Sequence, residues 1–314
     1  MVNPVDDLLL LEPIFVPKLW GGTRLKERYG DKAPGGPVGE CLVVSGHPDS
    51  DCVVRTGPYA GRTLSELWRN EPALFSGAGA ETFPYQVKLI DAQEDLSVQV
   101  HPDADFARAH PEAEEKNECW YTLAPSRAGK IVIGHSAKDK DELRALVEGG
   151  RWDELLTQID MREGDFFYIP AGTAHCILGG SLIYEVMQPS NTTYRLYDFD
   201  RLDLDGTKRP LHLDSALEVL RAPHVFGHEP APTPGTESTT ATTLIDNDHF
   251  CVRRVSVTTG VRLPMDGPFL IVSVLEGSGR VNGHTVCAND HFIVPGTVSS
   301  VTLEGSLDLI VIRP

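Results

Sequence analysis

Residues 164–175 read GDFFYIPAGTAH, and this stretch decides the architecture. After Asp165 come four mostly apolar residues, the composition of a short strand bounded by turn formers. Pro170 and Gly172 then predict a tight turn, because Pro presets φ and Gly adopts conformations that other residues resist. His175 follows on the next strand. The spacing G-x5-P-x-G-x2-H therefore predicts a strand, a turn and an imidazole directed back over the first strand. A histidine satisfied within a core is the competing reading. So long and demanding a spacing favours a ligand.

Working outward, further strand-like runs recur at close spacing: YQVKLI (85–90), LSVQVH (96–101), ECWYTL (118–123), KIVIG (130–134), SLIYEVMQ (181–188) and TYRLYDF (193–199). A second set follows: FCVRRVSV (250–257), FLIVSVLEG (269–277), HTVCA (284–288), HFIVP (291–295) and LDLIVIRP (307–314). Short strands punctuated by Gly and Pro predict a mainly β chain of antiparallel sandwiches or barrels. Helical spacing of apolar residues is confined to Thr63–Phe75, Asp139–Ile159 and Asp214–Arg221, with Gly149 and Gly150 dividing the second into two short helices.

Between the two sets of strands, residues 227–243 (GHEPAPTPGTESTTATT) are rich in Pro, Thr and Glu and read as an exposed linker. The expected organisation is a first domain over 1–226 with a helical insertion at about 138–160, the linker over 227–243, and a second domain over 244–314. GDFFYIP (164–170) and NDHFIVP (289–295) form a weak internal repeat, which makes two related β barrels the economical arrangement.

The chain has 314 residues, and its 45 acidic against 28 basic side chains leave a net charge of −17, which would repel nucleic acid and anionic membrane surfaces. A phosphorylated substrate would then need a local group of Lys and Arg. The N-terminus lacks the basic start of a secretory signal, no apolar run is long enough to span a membrane, and the six cysteines show no CxxC spacing. The expectation is a cytoplasmic protein with reduced thiols, free of nucleic-acid and membrane partners, and monomeric.

In LSVQVH, alternation sends Ser97, Gln99 and His101 to one face and Val98 and Val100 to the other. The apolar face is core and the polar face needs a reason. Glu118 opens ECWYTL, with Cys119 and Tyr121 on the opposite face. Imidazole and carboxylate are good zinc ligands and a carboxamide is a weaker one, so Gln99, His101, Glu118 and His175 would leave open positions on a bound ion. Cys119 and Cys176 adjoin proposed ligands but point to the other face of their strands, and are expected to pack in the core.

At this point a resemblance appears. QxH followed by Glu and then G-x5-P-x-G-x2-H resembles the metal-binding half of a cupin. The ensemble Lys18-Leu19-Trp20-Gly21-Gly22, Lys88, His101-Pro102-Asp103, Lys116-Asn117-Glu118, His175 and Tyr194-Arg195-Leu196-Tyr197-Asp198 resembles the type I mannose-6-phosphate isomerases, in their short bacterial form. The resemblance implies two cupin-like, jelly-roll β barrels with a few helices in and around the first. It also implies one Zn2+ per chain held by Gln99, His101, Glu118 and His175, and a small phosphorylated sugar as substrate. Catalytic roles fall on Arg195, Glu185 and Lys116, and substrate-binding roles on Ser97 and Lys88. The segment Gly39–His47 departs from the family pattern and includes none of these residues. The second barrel keeps neither QxH nor a matching His after Pro295 and is assigned no metal.

Interconverting an aldose and a ketose requires removal of the C2 proton, which is acidic only when the neighbouring carbonyl is polarised, as by zinc. Glu185 is the expected base, Lys116 an alternative or a relay, and Arg195 the holder of developing charge or of phosphate. A non-catalytic sugar-phosphate-binding cupin and an iron cupin oxygenase are the alternatives; the second would favour three histidines.

Overall fold

The computed structural model describes residues 8–78, 81–225 and 239–314. Most of the expected linker lies outside these residues. They gather into two compact units, one drawn from the described residues of 8–14, 42–87 and 239–314, the other from those of 15–41 and 88–225.

The first unit is built on an antiparallel sheet ordered Leu9–Leu10, His291–Val294, Leu270–Val281, Ser300–Arg313, Cys251–Val257 and Thr239–Asp246. Thr239–Thr243, which the composition places in the linker, instead begins a strand paired with Cys251–Val257. Threonine is common in linkers, yet its β-branch favours extended backbone, and a partner strand decides between the two. Val257, Val272, Val274, Phe292, Leu303 and Leu309 are among the buried core residues of this sheet. Phe269 is fully buried with ring centroids 5.2 Å from Phe75, 5.6 Å from Phe83 and 5.9 Å from Trp68. Phe269→Ala is expected to cost about 3–5 kcal/mol, from lost transfer energy and the cavity left behind. The urea unfolding midpoint measures it, and an unchanged midpoint would show that the aromatic cluster does not hold this unit.

In the second unit one sheet runs Tyr194–Tyr197, Val98–Val100, His175–Cys176, Lys130–His135 and Leu156–Asp160. Another places Phe166–Ile169, Glu118–Ala124, Leu182–Met187 and Gln86–Asp91 side by side. Trp120, Phe167 and Ile183 share a buried cluster with Ile131, Ile133 and Ile177. Val98, Val100 and Val132 pack away from it, with Leu143, Leu146 and Leu217 of the helices Lys140–Glu148 and Leu213–Val219. Helices covering that face leave Ser97, Gln99 and His101 directed the other way.

The helical reading of residues 139–159 holds through Leu155. Helix Lys140–Glu148 starts at Asp139, whose carboxylate accepts the Glu142 N–H at 2.8 Å, and Trp152–Leu155 is a single turn. Leu156–Asp160 is instead a strand against Lys130–His135. Its two apolar residues, Leu156 and Ile159, lie three apart, a helical spacing that puts them on opposite faces of the strand, so the partner strand and not the local pattern decides.

The internal repeat has a geometric counterpart. Gly164 and Asn289 both have positive φ, 86° and 70°. Asp165 Oδ2 accepts the Arg162 N–H at 2.8 Å and Asp290 Oδ2 accepts the Cys287 N–H at 2.8 Å, each three residues back. Strands Phe166–Ile169 and His291–Val294 follow. The repeated Asp is thus a turn-closing residue in each unit, and its role is structural.

Candidate active site

The Pro170–Gly172 turn forms as read. Gly172 has φ 82°, and its N–H donates to the His101 carbonyl at 2.8 Å, tying the turn to the end of the Val98–Val100 strand. His175 then lies opposite Gln99, and Arg195 lies opposite Gln99 on its other side. Directly paired residues share a sheet face, so His175, Gln99 and Arg195 face the same way. Glu118 comes from the other sheet, paired with Ile169 and Met187.

His101, Glu118 and His175 are all buried, and their donor atoms lie within 4.8 Å of one another. His101 Nε2 is 3.2 Å from Glu118 Oε1, and His175 Nε2 is 3.8 Å from Glu118 Oε2. His101 Nδ1 lies 2.8 Å from the Thr192 carbonyl and His175 Nδ1 lies 2.9 Å from the Thr173 carbonyl. A carbonyl only accepts, so each Nδ1 carries a proton, and each neutral ring presents a bare Nε2 lone pair. Burial first, then the Lys116 charge, lowers the His101 pKa; burial, and then the competition of the neighbouring His101 imidazole for a proton, lowers that of His175 to about 3. Glu118 is held well below the usual carboxylate range by the Lys116 ammonium 2.6 Å away and by both imidazoles, against the opposing effect of burial. Acceptor therefore faces acceptor, and His101 Nε2, Glu118 Oε2 and His175 Nε2 have no hydrogen-bond partner. Such a convergence is costly unless a cation lies within reach. The residues present fit a divalent metal.

Glu118 borders a cleft of about 200 Å³, partly open to solvent, which Gln99, Ser97, Lys88, Lys116, Glu185 and Arg195 also line. All nine residues singled out from sequence thus belong to one region: His101 and His175 through their contacts with Glu118, the others on the cleft wall. Glu185 is buried and accepts the Trp120 indole N–H at 3.0 Å through Oε1, while Oε2 is 3.9 Å from Lys88 Nζ. Burial chiefly, and then the Glu118 charge, push its pKa up to about 7, against the pull of Lys88 and Lys116. Cys119 and Cys176 are buried thiols directed at backbone carbonyls, 3.6 Å from Val186 and 3.1 Å from Leu96, and burial raises both.

Other wall residues were not visible in the motifs. Glu40 lies 3.7 Å from Lys88 and 3.4 Å from Lys18, so the segment Gly39–His47, which includes none of the residues singled out from sequence, supplies a carboxylate to the site. Lys88 and Lys18 hold that carboxylate ionised against its burial. The available signal was a lone charge beside the apolar run CLVV, the same signal that marked Lys88 in YQVKLI. Arg209 also lines the cleft, as does Trp20 of the Lys18–Gly22 motif.

Residues 8–127 match the model of the phosphomannose isomerase type I catalytic domain, and residues 240–314 that of the mannose-6-phosphate isomerase cupin domain. The mannose-6-phosphate isomerase ManA of Bacillus subtilis is 40% identical over 308 residues, covering 96% of this chain and 98% of that protein. The mannose-6-phosphate isomerase of Streptococcus mutans is 38% identical over 313 residues, covering 96% and 98%. The crystal structure of the mannose 6-phosphate isomerase from Bacillus subtilis superposes with a TM-score of 0.93 at 38% identity, covering 98% of this chain and 99% of that one. A phosphomannose isomerase structure from Salmonella typhimurium, 16% identical with a TM-score of 0.76, shares the fold. The expected mainly β, cupin-type architecture is met, and the chain belongs to the type I mannose-6-phosphate isomerases.

Proposed function

We propose that this isomerase is zinc-dependent and interconverts mannose 6-phosphate and fructose 6-phosphate through an enediol or enediolate intermediate. The observation that carries the reading is the convergence of the His101, Glu118 and His175 acceptor atoms, with Gln99 at hand as a weaker fourth donor. A divalent ion bound there supplies Lewis acidity toward the substrate's carbonyl and hydroxyl oxygens. Glu185 takes the proton from one carbon and returns it to its neighbour. Its raised pKa suits a group that must both accept and release a proton near neutrality. Trp120 orients the carboxylate by its hydrogen bond, and Lys88 stabilises the charged form. Lys116 is placed to relay a proton during ring opening. Ser97 donates to a sugar oxygen, and Arg195 holds developing negative charge or the phosphate. Among the described residues no helix is long and apolar enough to cross a membrane. We take the protein to be a cytoplasmic monomer without nucleic-acid partners.

Chelated protein is expected to lose isomerase activity and to recover it with zinc at one ion per chain. Two imidazoles and a carboxylate also suit iron(II), so the restoration is run with each metal under anaerobic conditions. Activity that fails to return with zinc would sink the zinc assignment. Chelated protein that retains full turnover would sink the metal requirement itself.

A further inference from the structure

The cleft is lined by five cationic side chains, Lys18, Lys88, Lys116, Arg195 and Arg209, against three carboxylates, Glu40, Glu118 and Glu185. The charges are unevenly distributed. Each lysine is matched to a carboxylate: Lys116 to Glu118 at 2.6 Å, Lys88 to Glu40 at 3.7 Å and Glu185 at 3.9 Å, and Lys18 to Glu40 at 3.4 Å. The positive charge that these three carboxylates do not match lies with the two arginines.

Arg209 meets Asp198 in a two-pronged contact, Nε to Oδ2 at 2.8 Å and NH2 to Oδ1 at 2.5 Å. Asp198 is buried and also takes the Arg201 guanidinium at 2.8 Å, while Arg201 is itself tied to the Asp95 carbonyl. One carboxylate thus holds two guanidiniums, and its charge is more than used. Arg195 adds a third. Its Nε is buried without a hydrogen-bond partner. Burial and the nearby charge of Arg209 weigh against the Arg195 cation, and Asp198 and Asp203 offset this less. Two guanidiniums close enough to oppose each other, one braced and one with an unused donor, form a site short of an anion.

We propose that Arg209, braced by Asp198, anchors the phosphate group of the substrate beside Arg195. A phosphomonoester carries about −1.5 to −2 charge at pH 7, an anion of the sign this end lacks. With Nε and one NH2 hydrogen given to Asp198, the remaining NH1 and NH2 donors of Arg209 suit the phosphate oxygens bidentately. The inference rests on the isomerase reading above and adds to it the residue that distinguishes phosphorylated from unphosphorylated sugars. In a chain of net charge −17, this local surplus is what admits a dianion.

The test uses zinc-loaded wild type, Arg209→Met and Arg209→Lys. KM and kcat are measured for mannose 6-phosphate, and calorimetry measures the binding of glycerol 3-phosphate and of glycerol. Arg209→Met is expected to raise KM and the glycerol 3-phosphate Kd by about 10- to 100-fold, with kcat changed less than about threefold. Arg209→Lys should fall between, keeping charge but losing the fork. Glycerol should bind all three proteins alike. A glycerol 3-phosphate Kd unchanged in Arg209→Met overturns the proposal, as does a loss confined to kcat. If Arg209→Met fails to fold, Arg209→Lys decides: an unchanged Kd and KM overturn the proposal and a raised pair support it. Failure of the isomerase reading shows separately, as wild type that does not turn over mannose 6-phosphate but still binds glycerol 3-phosphate through Arg209.

Discussion

His175→Ala is expected to abolish both metal retention and catalysis. Bound zinc should fall to a small fraction of one ion per chain after dialysis, and kcat/KM by at least about 10³-fold. His175 is one of only two imidazoles in the donor cluster, and nothing beside it can take its place: Cys176 points to the opposite face with its proton held by burial, and Trp120, whose ring centroid lies 5.4 Å away, offers no lone pair. The His175 ring is also fixed from behind by the Thr173 carbonyl, so its lone pair needs no reorganisation to reach an ion. The substitution leaves Gln99, His101 and Glu118 in place, but one imidazole with a carboxylate and a carboxamide holds zinc poorly. Metal analysis after gel filtration, with circular dichroism to show that the variant folds, separates loss of the ion from loss of structure. A folded variant that keeps stoichiometric zinc and turns over within about tenfold of wild type would remove His175 from the ligand set.

The site was legible where chemistry and periodicity coincide. Gln99 and His101 could be placed on one face because Val98 and Val100 demanded the other, and the packing of those valines against Leu143, Leu146 and Leu217 is the physical reason. His175 was legible because a turn needing φ 82° at Gly172 permits few residues, so the spacing itself carried information. Glu40 and Arg209 were not. Each becomes part of the site only through a partner outside its own segment, Lys88 for one and Asp198 across the loop for the other, and no local periodicity encodes such a meeting. The same limit applies to the fold. Leu42–Val87 joins a unit whose other members lie at the two chain ends, through the packing of Trp68, Phe75 and Phe83 on Phe269, which no period of the local sequence announces. The strand at Leu156–Asp160 was missed because its leucine and isoleucine lie three apart, which satisfies helical spacing and not the alternation of a strand, and only the partner strand overrides it.

Glu185→Gln should separate proton transfer from metal binding. The amide keeps an oxygen to accept the Trp120 N–H and nearly the same volume, so zinc content and KM should be little changed while kcat falls by about 10²- to 10⁴-fold, the range of a lost general base. The wild-type pH profile follows from the same environment. Burial and the Glu118 charge raise the carboxyl to about 7, and a divalent ion beside Glu118 would bring it back down. The base form is lost as pH falls through the working pKa, so the acid limb of kcat should lie at or below pH 7. Lys88→Met, which removes a cation 3.9 Å from Oε2, should move that limb upward by about one unit. The sign reverses for stability of the metal-free chain. A carboxyl raised from 4.5 to about 7 by folding favours the native state fully below 4.5, and that contribution is lost as pH rises to 7. Metal-free Glu185→Gln should therefore lose less stability than wild type between pH 5 and pH 8, read as the shift in urea midpoint. Equal shifts in the two proteins would show that Glu185 does not ionise across this range. A kcat within about threefold of wild type would pass the base role to Lys116.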